Sequence, residues 1–218
     1  MSRRLIIFDC DGTLVDSELV ASRVFTRYWS THGVHFTEDE FKELFIGTGR
    51  DAAIVTETFA RMPPEAEATG NLLFKEALHM ELRPITGIPE VLNALREPVC
   101  VASNSSREHV EQALALCGLS QHFEGKVFSA HNVQRPKPAP DLFLRAASDL
   151  GFTPHECIVV EDSPAGLLAA QSAGMKVIAF AGAGHFVPKL AKRLLDLSPD
   201  WFCENADELQ RRLFSPDS

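Results

Sequence analysis

The chain alternates between short, wholly apolar runs and longer stretches in which apolar residues recur every three or four positions. The first run, Leu5–Phe8, stops abruptly at Asp9-Cys10-Asp11-Gly12-Thr13. A run that short, apolar throughout and bounded by acid reads as a strand buried on both faces. Runs at 98–103, 126–129, 157–161 and 176–180 predict four more strands. Helical spacing covers 106–117, 139–150 and 164–173, with C-terminal helices near 186–195 and 205–213. Strand–helix alternation implies right-handed crossovers and a parallel sheet, so the expected class is α/β, doubly wound.

Residues 17–84 break that alternation. Helical patterns run from 17 to about 32 and over 37–45, 49–60 and 64–82, interrupted by Gly47, Gly49 and Pro63-Pro64. An all-helical block between the first strand and the rest reads as an inserted cap. The expected division is therefore a core of 1–16 plus 85–218 and a helical cap of 17–84. Pro84 and Gly87 mark the return to the core, and the linkers near 14–19 and 82–88 form the expected hinge.

The chemistry concentrates at the ends of the apolar runs. Asp9 and Asp11 stand at the carboxyl end of the first strand, where open α/β sheets bind their ligands. Alternate positions on an extended chain share a face, and Gly12 allows the tight turn that follows. Ser105-Ser106-Arg107-Glu108 has the spacing of a capping box, and Gly118 ends that helix. Ser163-Pro164 supplies a cap and a first-turn proline just after Asp162. Both helix starts then turn free N–H groups toward one crevice, where they can hold an anion.

Four segments carry a resemblance. Asp9-x-Asp11-Gly12-Thr13 comes first, and Ser103-Asn104 follows Val99–Ala102. Lys137 lies in Arg135-Pro136-Lys137-Pro138, and Glu161-Asp162 follows Ile158–Val160. In order and spacing these resemble the four motifs of the haloacid dehalogenase superfamily, across essentially the whole chain.

The resemblance implies that Asp9 is a nucleophile that forms an aspartyl phosphate and that Asp11 is the general acid and base. Ser103 and the backbone N–H of Asn104 would bind phosphoryl oxygens, while Lys137 would neutralise charge on the transferring group. Asp9, Asp162 and an anionic substrate repel one another by about 4 kcal/mol per close pair at an effective dielectric near 20. One lysine does not offset several such terms, so a divalent cation is expected. Oxygen-only ligation suits Mg²⁺. By resemblance its ligands are Asp9, the main-chain carbonyl of Asp11, and Asp162. Glu161 is expected to be structural, accepting bonds from neighbouring backbone, and metal ligation by it is the lesser alternative. The Thr13 hydroxyl is expected to bond within its turn, with a bond near the phosphoryl site as the alternative.

The stretch Phe45-Ile46-Gly47-Thr48-Gly49-Arg50 resembles the cap loop that reaches into the site of related enzymes. Arg50 matches a substrate-contacting arginine there, and a guanidinium suits a second phosphate or a carboxylate. Ile46 stands where relatives often have lysine. Ala21 stands where the phosphosugar mutases carry a histidine. Asp11 and Asp162 argue against dehalogenation, and no lysine lies at the cap loop to form a phosphonatase imine.

The expected function is a Mg²⁺-dependent phosphatase of a small phosphorylated metabolite, a sugar phosphate or a sugar-acid phosphate such as 6-phosphogluconate. A phosphosugar mutase is the alternative. A silent phosphometabolite-binding protein comes third, opposed by the intact Asp9, Asp11, Lys137 and Asp162.

Composition narrows the partners. Among 218 residues, 45% are apolar, enough for one core and a smaller accessory unit. The formal net charge of -9 gives no basic footprint for nucleic acid. No run of about 18 apolar residues suggests a membrane span, and the N-terminal apolar stretch is too short for a secretory signal. Five scattered cysteines without CxxC spacing read as buried apolar residues in a reducing cytoplasm. Cys10 is expected to pack on the far side of the first strand. The eight histidines form no HExxH motif, and His32 and His35 are expected at the surface. A monomer is favoured.

Overall fold

A computed structural model describes residues 4–47 and 52–214. Its centre is a six-stranded parallel sheet in the order β3-β2-β1-β4-β5-β6. The strands are β1 (Leu5–Phe8), β2 (Val99–Ser103), β3 (Val127–Ser129), β4 (Cys157–Glu161), β5 (Lys176–Phe180) and β6 (Trp201–Cys203). Five of them follow the sequence expectation, but β6 was not foreseen. It is three residues long and adds to the sheet edge by pairing with β5.

Period-two alternation divides the sheet's side chains cleanly between two cores. Ile6, Phe8, Val99, Val101, Ile158, Val160, Ile178 and Phe180 join one apolar cluster. Leu5, Ile7, Cys100, Ala102, Cys157, Val159, Val177 and Ala179 join the other. The first cluster is covered by α5 (Ile88–Ala94), α6 (Arg107–Leu116), α7 (Ser120–Phe123) and α11 (Ala206–Phe214). The second is covered by α8 (Asp141–Asp149) and α9 (Pro164–Ser172), with Leu194 of α10 (Pro188–Leu195). Neither α5 nor α7 was expected. Each spans two turns or fewer, and α5 is started by Gly87 at φ 85° just before Ile88-Pro89.

The connection direction reverses at β1, which has β2 on one side and β4 on the other. Phe8 is level with Val101 and Val160, so Asp9, Ser103 and Glu161 emerge at one end of the sheet. That end is the switch point where doubly wound sheets open a crevice.

Residues 17–81 contribute α1 (Ser17–Ser30), α2 (Glu38–Phe45), α3 (Ala53–Phe59) and α4 (Ala66–Glu81), with no strand among those described. The α2 start is a capping box in which Thr37 and Glu40 satisfy each other's backbone donors. Trp29, 3% exposed, sits at the centre of an aromatic cluster. Its ring centroid is 5.0 Å from that of Phe45, 5.4 Å from Phe41, 5.5 Å from Phe25 and 5.7 Å from Phe59. This third cluster is distinct from the two that clamp the sheet, although Val20, Leu78 and Leu82 reach down into the first of those.

The chain enters and leaves this helical block through adjacent segments. Asp16 N–H donates to Arg83 O at 3.1 Å and Ile85 N–H to Leu14 O at 3.0 Å. The two linkers thus lie side by side as an antiparallel bridge, Val15 opposite Pro84.

Trp29→Ala is expected to cost about 3–5 kcal/mol, the range for truncating a buried aromatic. Hydrogen exchange should show α1–α4 losing protection before the sheet does. Simultaneous loss in both would mean that one cooperative unit spans the chain.

Candidate active site

The sheet's carboxyl end opens into a cavity of about 440 Å³. Its floor is Asp9, Asp11, Ser103, Lys137, Glu161 and Asp162. Four stretches distant in sequence therefore meet at one place, as the motifs implied. Phe25, Phe41, Phe45 and Phe74 of the helical block form the opposite wall. Arg50 lies outside the described residues.

Lys137 is the ionic centre. Its Nζ donates to Asp9 Oδ1 at 2.6 Å and to Glu161 Oε1 at 2.7 Å. The lysine is 6% exposed and its ammonium lies 4.8 Å from the Phe143 ring centre. Burial alone would lower its pKa, but the two carboxylates outweigh that and hold it charged, above the usual lysine value. Its backbone is fixed by Asn104, whose Oδ1 accepts from Lys137 N at 3.0 Å while Nδ2 donates to Lys137 O at 3.1 Å. Sequence reasoning gave Asn104 only a backbone N–H. Its side chain also braces the lysine loop, a contact across 33 positions that local pattern does not carry.

Glu161 behaves as the structural expectation had it. Its Oε2 accepts from Ser163 N at 2.8 Å and Ser163 Oγ at 2.9 Å. A Cβ on Gly166 would fall 1.8 Å from this carboxylate, so only glycine lets the first turn of α9 approach it.

Asp9 and Asp162 are short of positive charge. Burial, against the pull of Lys137, and then Glu161, Asp162 and Asp11 push the Asp9 carboxyl well above its usual range. Burial and the neighbouring Glu161 raise Asp162 likewise, against the pull of Thr13 and Lys137. Thr13 Oγ1 donates to Asp162 Oδ1 at 3.1 Å. That corrects the expectation of a bond within the turn, where backbone N–H groups already suffice: Thr13, Leu14 and Val15 all donate to Cys10 O. Cys10 itself is fully buried in the first core cluster, turned away as expected.

Two buried carboxylates driven toward protonation, with oxygen donors around them, fit a hard divalent cation. No three His, Cys, Asp or Glu side chains form a metal-holding group among the described residues. The implied set needs only two carboxylates, its third donor being a main-chain carbonyl.

Asp11 is held differently. Ser17 Oγ donates to Oδ1 and Ser105 Oγ to Oδ2, each at 2.7 Å, and His109 Nε2 lies 3.0 Å from Oδ1. Burial would raise its pKa, but the bonds from His109, Ser105 and Ser17 outweigh that and hold the carboxyl below its usual range. The partner His109 is raised, first by its bond to Asp11. The helix cap is also corrected: Ser106, not Ser105, accepts from His109 N at 3.2 Å, while the Ser105 hydroxyl donates to Asp11. None of these three donors was read from the sequence. The available signal was a histidine in the first turn of a helix that starts at a strand's carboxyl end. Ser103, 2% exposed, accepts from Ser105 N at 3.0 Å. Beside these groups, Glu18 is pushed by burial to about 7, with His185 pulling the other way.

A doubly wound parallel sheet thus carries an acid pair and a buried lysine at its carboxyl end, under a helical block. The chain matches the haloacid dehalogenase-like hydrolases over residues 6–180 and belongs to that family. It is 32% identical to the 6-phosphogluconate phosphatase of Escherichia coli (strain K12) over 193 residues, 86% of this chain and 87% of that protein. A haloacid dehalogenase-like protein of unknown function from Agrobacterium tumefaciens C58 superposes with a TM-score of 0.90 at 33% identity, covering 97% of this chain and 98% of that one. A family hydrolase from Deinococcus radiodurans R1, with bound phosphate and sodium, gives 0.85 at 29% identity, covering 97% and 95%. The enzyme class expected from the motifs, a phosphoric monoester hydrolase, agrees with the family and with the named phosphatase relative.

The Asp11–His109 pair sets a pH window for stability. The depressed Asp11 contributes above the ordinary carboxylate pKa, and this is lost as pH falls through its lowered value. The raised His109 contributes below its ordinary 6.5, and this is lost as pH rises through its raised value. His109→Ala should therefore cost about 1 kcal/mol near pH 6 and less near pH 9, by urea denaturation at both. Equal costs at the two pH values would remove charge from the interaction.

Proposed function

We propose that this protein is a Mg²⁺-dependent phosphatase of a small phosphorylated metabolite, working through an aspartyl phosphate on Asp9. The observation that carries the reading is the buried Lys137 joined to both Asp9 and Glu161, with Asp11 two residues from Asp9 at the same cavity. Residues 1–16 and 85–218 form the catalytic core and 17–84 the cap, hinged at the paired linkers.

Each chemical step has a residue. Lys137 points Asp9 at the phosphorus and offsets charge on the transferring group. Ser103 and the Asn104 N–H bind phosphoryl oxygens. Asp9 attacks phosphorus, forming an O–P bond, while the bond to the leaving alkoxide breaks and Asp11 delivers its proton there. Asp11, again a carboxylate, then takes a proton from water, which attacks the aspartyl phosphate and frees phosphate and Asp9. Asp9, the Asp11 carbonyl and Asp162 would hold Mg²⁺, which supplies positive charge to the phosphoryl oxygens. The bonds that hold Asp11 below the usual carboxylate range favour its role as base, and its role as acid requires that it take up a proton from solvent before the leaving alkoxide departs.

The substrate is a sugar phosphate or sugar-acid phosphate such as 6-phosphogluconate, a reading supported by the Escherichia coli relative. Arg50 would meet the far end of that substrate. A phosphosugar mutase is the lesser reading, since the buried Ala21 on the cavity wall carries no proton. Five free thiols support a reducing cytoplasm as the setting.

Asp9→Asn should lower phosphate release at least about 10³-fold with the circular dichroism spectrum unchanged. Wild-type turnover in that variant would remove Asp9 from the chemistry. Chelation with EDTA should abolish release from 6-phosphogluconate or any better substrate found in a metabolite screen, and added Mg²⁺ should restore it. Full activity after exhaustive chelation would exclude a metal requirement.

A further inference from the structure

His185 has no part in the chemistry above, yet it is 0% exposed and buried at the site's edge. Neither ring nitrogen has a hydrogen-bond partner. Buried polar groups are nearly always satisfied, so an orphaned imidazole calls for an explanation. Its surroundings supply one. Nε2 lies 3.4 Å from Asp162 Oδ2, a close approach that is not a formed hydrogen bond in this structure. The imidazole also packs on Phe186, ring centres 4.5 Å apart, which limits its freedom to turn elsewhere.

The approach of these two groups depends on a missing side chain. A Cβ on Gly12 would lie 2.0 Å from Asp162 Oδ2 and 2.9 Å from His185 Cε1. Gly12 therefore leaves open the space in which carboxylate and imidazole meet. The other oxygen of Asp162 already has a donor, the Thr13 hydroxyl at 3.1 Å. Lys137 is spent on Asp9 and Glu161. Oδ2 thus has no side-chain donor among the hydrogen bonds of the described residues, and His185 is a buried donor beside it without a formed partner.

We infer that His185 is a positioning residue for Asp162: its Nε2–H donates to Oδ2 and, with Thr13 on Oδ1, aims the carboxylate at a divalent cation. This rests on the reading of Asp162 as a metal ligand. Metal-ligating carboxylates are themselves held by hydrogen bonds, and loss of such an outer partner typically costs about 10–100-fold in metal affinity.

The test is metal binding without turnover. Mn²⁺ is titrated into metal-free protein and free ion is followed by electron paramagnetic resonance, for wild type, His185→Phe and His185→Gln. Phenylalanine keeps the ring against Phe186 but cannot donate, while glutamine keeps an N–H donor. The expected result is a Kd raised at least about 10-fold in His185→Phe and within about threefold of wild type in His185→Gln. Wild-type affinity in His185→Phe would overturn the inference. Should that variant fail to fold, an alanine variant carries the same expectation, and normal affinity there overturns it equally. If wild-type protein binds no Mn²⁺, the ligand reading of Asp162 fails instead, an outcome distinct from a silent His185.

Discussion

The ammonium of Lys137, sealed between Asp9 and Glu161, is the interaction on which the site depends. One cation serves two carboxylates at 2.6 and 2.7 Å, with a third, Asp162, close by. A buried ion pair is weak evidence of stability, but removing one member of it leaves an uncompensated charge, at about 3–5 kcal/mol. The arrangement is thus better understood as a device for function than as a fastening. It holds one oxygen of Asp9 in place and turns Glu161 back onto the start of α9. The remaining charge deficit falls on Asp9 and Asp162, both pushed above the usual carboxylate range. A second cation beside them would counter that shift in both acids at once.

Asp11 stands apart from that centre and joins the site to the helical block. Ser17, one of its donors, is the first residue of α1, whereas Ser105 and His109 belong to the sheet side. The same carboxylate therefore spans the place where the two linkers run side by side. Any shift of α1 relative to α6 must change the bonds on Asp11. Asp11 and the helical block over the cavity are coupled through the Ser17 hydroxyl, and that coupling needs no longer pathway.

The sequence was most legible where one physical rule acted alone. Strands β1, β2, β4 and β5 are apolar at nearly every position because both faces are covered, so period-two chemistry and burial agreed. The motif acids and Lys137 were legible because they follow such strands or sit between prolines. Two of the short elements were not, β6 with three residues and α7 with four. The hydroxyls were misplaced for a physical reason. Thr13 and Ser105 each had a plausible local acceptor or donor, and each was captured by a carboxylate 149 and 94 positions away. Local rules do not see such competition. His109 and His185 were passed over because a lone histidine carries little signal until the fold shows what faces it.

Two glycines explain why the anionic centre does not relax by moving apart. A Cβ on Gly166 would lie 1.8 Å from the Glu161 carboxylate, and one on Gly12 2.0 Å from that of Asp162. Both acids are therefore packed at backbone distance, inside walls as dense as any protein interior. Repulsion between them has no soft coordinate along which to dissipate. It is eased by protonation or by a nearby cation, and Lys137 already serves as one between Asp9 and Glu161. Close packing thus leaves the charge balance of the centre to proton and cation occupancy rather than to movement of the acids.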